Sequence, residues 1–198
     1  MGRPRQFDEE SVVRAACHEF WAKGFDGTST ADLCQATGLP RSSLYNTFHS
    51  KEHLFRRALS YYVNSMTARQ GAVLDSSEGS GLDRIRSLLT VIVEDEAANQ
   101  ESGRSAGCFT VNTITTIASR NPDIARVVEA DLDKRLSSLR LTVMDGQLDG
   151  SIAADRDPAD LAWYVTSLVS GMRVAAQSGA GRRALEGIAS TGIAALRP

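Results

Sequence analysis

A chain of 198 residues with 42% hydrophobic content can bury a sizeable core, as one large domain or a small and a larger one, which excludes extensive disorder. Its net charge of −2 gives no bulk argument for nucleic acid; up to Arg57 there are 8 Lys+Arg against 7 Asp+Glu, and beyond it 14 against 17, so any polyanion-binding face must come from local placement. No apolar run approaches bilayer length and the opening MGRPRQFDEE has no apolar signal core, so a soluble, cytoplasmic protein without a membrane partner is expected.

In chain order, Val12, Ala15, Ala16, Phe20 and Trp21 share one helical face behind the acidic start Asp8, Glu9, Glu10, and Gly24 is placed to end that helix. Ser29 with Asp32 resembles a capping box and opens a short helix through Leu33 to Ala36. Gly38 breaks the chain, Arg41 to Phe48 forms a third short helix, and Ser50 caps a long fourth one carrying Leu54, Phe55, Ala58, Leu59, Tyr62 and Met66. The stretch 71–81, GAVLDSSEGSG, is the clearest break. Five helical segments follow: one with Leu82, Ile85, Leu88, Leu89 and Ile92; one from Cys108 to about Ser119; two opened by Asn121-Pro122 and Asp157-Pro158; and a last one from Arg182 to Leu196. The pattern is all-α, with about nine helices in a small N-terminal bundle and a larger C-terminal one.

The segment from Thr28 to Lys51 has the form of a helix-turn-helix, two short helices around a glycine turn, the second of which enters a DNA major groove. Leu33, Ala36, Leu39, Leu44 and Phe48 would lock the two helices together. Arg41, Ser42, Ser43, Asn46 and Thr47 remain for solvent; short polar side chains let a helix approach base edges, and Arg and Asn can make bidentate contacts to guanine and adenine.

Residues 2–59 closely resemble the TetR family of regulators. The resemblance is carried by Phe20, Gly24-Phe25, Thr28, Gly38 and the string Ser43-Leu44-Tyr45-x-x-Phe48-x-x-Lys51-x-x-Leu54-Phe55. It implies a helix-turn-helix DNA-binding domain over residues 1–57, continued by a long helix into an effector-binding and dimerisation domain over 58–198. It further implies Arg41, Ser42, Ser43 and Asn46 as base readers and Tyr45 and Lys51 as phosphate contacts. Thr28 and Ser29 would hold a phosphate at the N-terminus of the second helix. Arg3 and Arg5 would form a basic arm.

The resemblance also implies a homodimer on a palindromic operator, most simply a repressor released by a small-molecule effector; activation is the other mode. The last two helices offer the dimer surface, with Gly171, Ala175, Ala176, Gly179, Ala184 and Ala189 among Leu168, Met172, Leu185, Ile188 and Leu196; ordinary packing within the chain would use the same residues. Phe109, Asn112, Thr113, Thr116 and Trp163 are the candidates for lining an effector pocket, although helical threonines also bond the preceding turn. Ser105 to Asn112 resembles a Gly-Cys motif found at the sixth helix of many such regulators. Cys108 there is a candidate thiol sensor of oxidants or electrophiles, assisted by a helix N-terminus and by Arg104, or else a small apolar filler. The cysteines Cys17, Cys34 and Cys108 have the spacing of neither a disulfide framework nor a zinc site, and no cofactor is expected. His18, His49 and His53 form no metal or triad pattern, so catalysis is not expected.

Overall fold

A computed structural model describes residues 7–101 and 107–198. Among the described residues there are nine α-helices and no strand. They are α1 Glu9–Gly27, α2 Thr30–Thr37, α3 Arg41–Phe48, α4 Lys51–Leu74, α5 Gly81–Glu101, α6 Phe109–Thr116, α7 Pro122–Leu148, α8 Pro158–Gln177 and α9 Arg182–Ala194, with a single 3-10 turn, Ala118–Arg120, before α7.

The helix starts follow local chemistry. Asp8 accepts from the amides of Glu10 and Ser11, Ser29 and Asp32 complete a reciprocal capping box, and Ser50 accepts from His53. Asn121 and Asp157 cap α7 and α8, each of which begins with proline. Such caps contribute about 1 kcal/mol apiece by satisfying amides that have no partner within the helix. Gly24 leaves helical geometry at φ 72°, so α1 kinks there and runs on for one further turn to Gly27.

One expectation needs correction. The Ser/Gly-rich stretch does not break at Gly71: α4 continues to Leu74, whose side chain is buried in the C-terminal core, and the break narrows to residues 75–80.

Two cores result. The first joins α1, α2, α3 and the first half of α4 to Cys108, Phe109, Ile117, Ile124 and Val128, so the N-terminal head rests on α6 and the start of α7. The second fills the space between α5, α7, α8 and α9. Through Leu54 to Val63, α4 belongs to the first, and through Leu74 to the second. A close backbone crossing fixes α5 on α7. A Cβ on Gly81 would lie 2.4 Å from the nitrogen and 2.5 Å from the Cα of Gly146. The amides of Gly81 and Leu82 are taken by Asp149 and Ser151 from beyond α7. Among the described residues no helix is long and apolar enough to cross a membrane.

Candidate nucleic-acid interface

The head presents α3 to solvent. Gly38, at φ 69°, ends α2, and Leu33, Leu44 and Phe48 are buried between α2, α3 and α4, with Cys34 and Leu39 packed at their edge. Ala36, expected in that contact, is exposed instead. With Leu44 and Phe48 turned inward, the 3.6-residue period sends Arg41, Ser42 and Asn46 outward; all three are exposed, while Ser43 and Thr47 are half-buried at the flanks. This is the arc of side chains that the sequence pattern assigns to base edges.

Beside this arc, two side chains are held by their surroundings. The Tyr45 hydroxyl shares a 2.9 Å hydrogen bond with that of Thr30, and the Arg41 guanidinium lies 5.7 Å from the Tyr45 ring centre. Lys51 sets its ammonium 4.5 Å from the centre of the Phe25 ring, an arrangement that fixes a cation without neutralising it. Between them, His49 turns the chain at φ 61° and stacks on His53, whose Nδ1 is 2.8 Å from the Phe48 carbonyl.

The start of α2 differs from expectation at one residue. Thr28 is fully buried, and its hydroxyl donates to the Gly24 carbonyl at 2.6 Å, so it closes the kinked end of α1 and has no path to a phosphate. Ser29 is exposed, but its hydroxyl donates to Asp32 at 2.6 Å. Asp32 also binds the Lys23 ammonium at 2.6 Å, and Lys23 and Ser29 together hold its carboxyl well below the usual carboxylate range. Arg3, Arg5 and Arg104 lie outside the described residues.

Behind the head, α6 begins at Cys108, whose side chain is buried and receives the Tyr62 hydroxyl at 3.8 Å. Burial raises the Tyr62 pKa, which keeps that hydroxyl a donor. Cys108 lines a cavity of about 50 Å³ with Tyr62, Thr110, Asp131, Arg135 and Arg173. Arg173 is almost wholly buried and lies 3.5 Å from Glu96. Burial opposes its charge, but the groups around it, the Glu96 and Asp95 carboxylates among them, outweigh that effect and raise its pKa. Burial likewise lifts the Glu96 pKa against the pull of Arg173. Asp131 binds Arg135 at 3.0 Å and accepts from the Thr67 hydroxyl.

Of the residues expected around an effector, Cys108 alone reaches this cavity. Phe109 is buried edge-on between the rings of Phe55 and Tyr62. Thr113 is buried away from it, half-buried Asn112 accepts the hydroxyls of Thr115 and Thr116 at its carbonyl, and Thr116 is exposed. Trp163 is 51% exposed and lines a different, open groove on the α7–α8 surface with Leu141 and Met144, apart from the cavity at Cys108. The charged wall of the cavity was missed, although Asp131 and Arg135, four apart within an otherwise apolar face, and Arg173 between Met172 and Val174 were visible signals.

On the last two helices, Met172, Ala176, Leu185 and Leu196 are buried within the chain. The residues that stay exposed include an α8 stripe of Trp163, Tyr164, Ser167, Gly171 and Val174, and an α9 flank of Ala184, Gly187 and Thr191. Among the described residues no group of three or more His, Cys, Asp or Glu side chains is placed to hold a metal ion.

Comparison with known proteins agrees with this layout. Residues 12–58 match the family model described as bacterial regulatory proteins, tetR family, and residues 81–191 match the one described as tetracyclin repressor-like, C-terminal domain. The chain is 31% identical over 190 residues to the HTH-type transcriptional repressor ComR of Escherichia coli K12, covering 96% of this chain and 89% of that one. A cysteine-substituted form of the regulator CifR, solved on a 26-base-pair double-strand operator DNA, superposes with a TM-score of 0.84 at 28% identity, over 98% of this chain and 100% of that one. Reduced NemR of E. coli shares the fold, with a TM-score of 0.78 at 21% identity over 92% and 94% of the two chains.

Proposed function

The chain belongs to the TetR family of DNA-binding transcriptional regulators, which are not enzymes, and on that premise we propose that it is a homodimeric cytoplasmic repressor released from a palindromic operator by a small-molecule effector. The observation that carries the reading is the exposed α3 arc of Arg41, Ser42 and Asn46, flanked by Tyr45 and Lys51 in fixed positions. A single arc reads few base pairs. Two copies related by a two-fold axis, with their α3 helices about 34–36 Å apart, read a palindrome. The α8 stripe, with Trp163, Tyr164 and Val174 between 37% and 51% exposed, and the small-residue α9 flank support self-association. In this reading residues 1–57 are the head and 58–198 the sensing and pairing unit.

Fluorescence anisotropy on double-stranded fragments selected from the source genome tests the proposal. The expected result is a palindromic consensus bound by two chains, with Asn46→Ala relaxing the preference at one base pair per half-site. Sequence-independent binding that is unchanged by Asn46→Ala and Arg41→Ala would overturn it.

A second reading is favoured by one specific observation: the cavity at Cys108 is about 50 Å³, below the roughly 300 Å³ at which drug-sized pockets begin. A small electrophile alkylating Cys108 fits that space. The sulfur–carbon bond forms, the thiol proton is released, and the electrophile either loses its leaving group or takes up a proton across its double bond. The Tyr62 hydroxyl points at the Cys108 sulfur, and Arg173 lines the same cavity. In either reading the effector must bind the released state more tightly than the operator-bound one.

A further inference from the structure

We propose that the groove between α5 and α9 binds a free amphiphilic monocarboxylate, with its acid group between Arg86 and Arg197. The groove measures about 490 Å³, within the range of small-molecule sites, and is separate from the cavity at Cys108. Its floor is apolar: Leu89 and Val93 from α5 face Ala189 and Ile193 from α9. The hydroxyls of Thr90 and Ser190, also in its walls, donate to carbonyls of their own helices and leave no polar demand there.

Charge is divided between the two ends. The two helices run antiparallel, because Gln100 near the end of α5 donates to the Ala180 carbonyl just before α9, while residues 149–153 tie the start of α5 to Leu196. Arg86 and Arg197 therefore share one end, and Glu94, Glu186 and Arg182 share the other. Arg197 makes no ion pair among the described residues, and Arg86 carries only Asp83 of its own helix. From Arg86 to Glu94 the groove is roughly 12 Å long at 1.5 Å per helical residue. That length suits a medium acyl chain, with two guanidiniums receiving a carboxylate and the acidic end repelling it. The α9 flank of Ala184, Gly187 and Thr191 lies on the side away from this groove, so occupancy does not compete with pairing of two chains.

The site stands whether or not the operator reading does, and its test is separate. Equilibrium dialysis of the full-length chain should show one saturable decanoate per chain and at least tenfold weaker binding of decanol. Arg197→Gln should weaken decanoate at least tenfold, and Ser190→Trp, which fills the groove, should abolish it. Both positions are exposed, so thermal melting and operator affinity should stay at wild-type values. Absence of saturable decanoate binding, or equal binding by wild type and both variants, would overturn the proposal. So would Arg197-dependent sedimentation with phosphatidylglycerol vesicles in the absence of free-acid binding, which would assign the groove to a lipid surface.

Discussion

Trp21 and Gly107 stand 86 residues apart, yet the indole Nε1 donates to the Gly107 carbonyl at 2.6 Å. The bond joins the head to the residue preceding Cys108. Gly107 holds φ 67°, a conformation that L side chains rarely adopt, and a Cβ there would lie 2.4 Å from the movable Oε1 of Gln177 on α8. Trp21 also meets Tyr62 edge-on, Tyr62 meets Phe109, and Phe109 meets Phe55, which packs on Phe25 beneath Lys51. A displacement at Cys108 thus has a contiguous packed route to Lys51 at the surface of the head. Trp21→Phe keeps an aromatic edge on Tyr62 but strands the buried carbonyl. The expected cost is about 1–3 kcal/mol in urea unfolding, with faster amide exchange in the first turn of α6. An unchanged midpoint and unchanged exchange would show that the bond does not couple the two parts.

Operator binding should weaken steeply with salt, since each neutralised phosphate contributes about −0.9 to the log–log slope. Lys51→Gln should reduce the magnitude of that slope by about 1 and weaken all sequences alike. Asn46→Ala should instead cost about 1–3 kcal/mol on the operator alone and leave the slope in place. Titrations at several salt concentrations separate the two; a Lys51→Gln slope equal to that of wild type would remove Lys51 from the phosphate contacts.

What the sequence revealed and what it hid divide along locality. Capping pairs such as Ser29 with Asp32, and starts such as Asn121-Pro122 and Asp157-Pro158, act within one helical turn, so they read directly as helix boundaries. The outward arc of α3 was legible too, because Leu44 and Phe48 alone set which side is buried. The cavity was not, because Tyr62, Asp131, Arg135 and Arg173 come from three helices packed on several sides, where apolar residues surround the axis. Trp163 lies apart from the Cys108 cavity for a narrower reason. Leu161, Val165, Val169 and Met172 already fill the inner face of α8, and a residue two positions from Leu161 points about 200° away, since each step turns roughly 100°. Thr28 and Ser29 offered two adjacent hydroxyls, and only the kink at Gly24 decides that Thr28 turns inward.

Two glycines should differ sharply when changed to alanine. At Gly81 the new methyl meets backbone atoms of Gly146 and Thr142 at 2.4–2.6 Å, which can yield only if α5 and α7 separate. At Gly192 it meets the end of a flexible side chain, Leu168 Cδ2, at 2.2 Å. Overpacking costs typically about 1–3 kcal/mol, and Gly81→Ala is expected at or above the top of that range, with Gly192→Ala near the bottom. Thermal denaturation of the two variants checks the order, and a reversed ranking would mean that the α5–α7 crossing is looser than described.

The head should be sensitive to acid at one identifiable pair. The Asp32 carboxyl is held below its ordinary range in the folded chain, chiefly by Lys23 and then by Ser29. A depressed acid stabilises the fold above its unfolded-state value, and the contribution is lost as pH falls through the carboxylate range toward the depressed value. The Lys23 pKa is raised by the same contact, so its contribution is complete below the ordinary lysine range and fades only in strong base. The melting temperature of wild type should therefore converge on that of Asp32→Asn as the solution is acidified. Parallel curves from neutral pH to the acid limit would show that the capping box does not respond to this proton.

Thiol chemistry separates the three cysteines. Burial pushes the Cys17 thiol up to about 12, so at pH 8 the folded chain offers almost no Cys17 thiolate, and alkylation there should wait for unfolding. Cys34 is half-buried at the edge of the head, the least buried of the three. Cys108 is 8% exposed beside a cavity of about 50 Å³, so it should accept a compact reagent and resist a bulky one. Mass spectrometry of peptides after brief treatment should show Cys34 labelled by iodoacetamide and by a large maleimide, Cys108 by iodoacetamide only, and Cys17 by neither. If Cys108 is the sensor, operator release should follow its labelling and vanish in Cys108→Ser, which retains DNA binding. Release that persists in Cys108→Ser but is lost in Cys34→Ser would place the response in the head, where Cys34 packs against the α2–α3 contact that orients the exposed α3 arc.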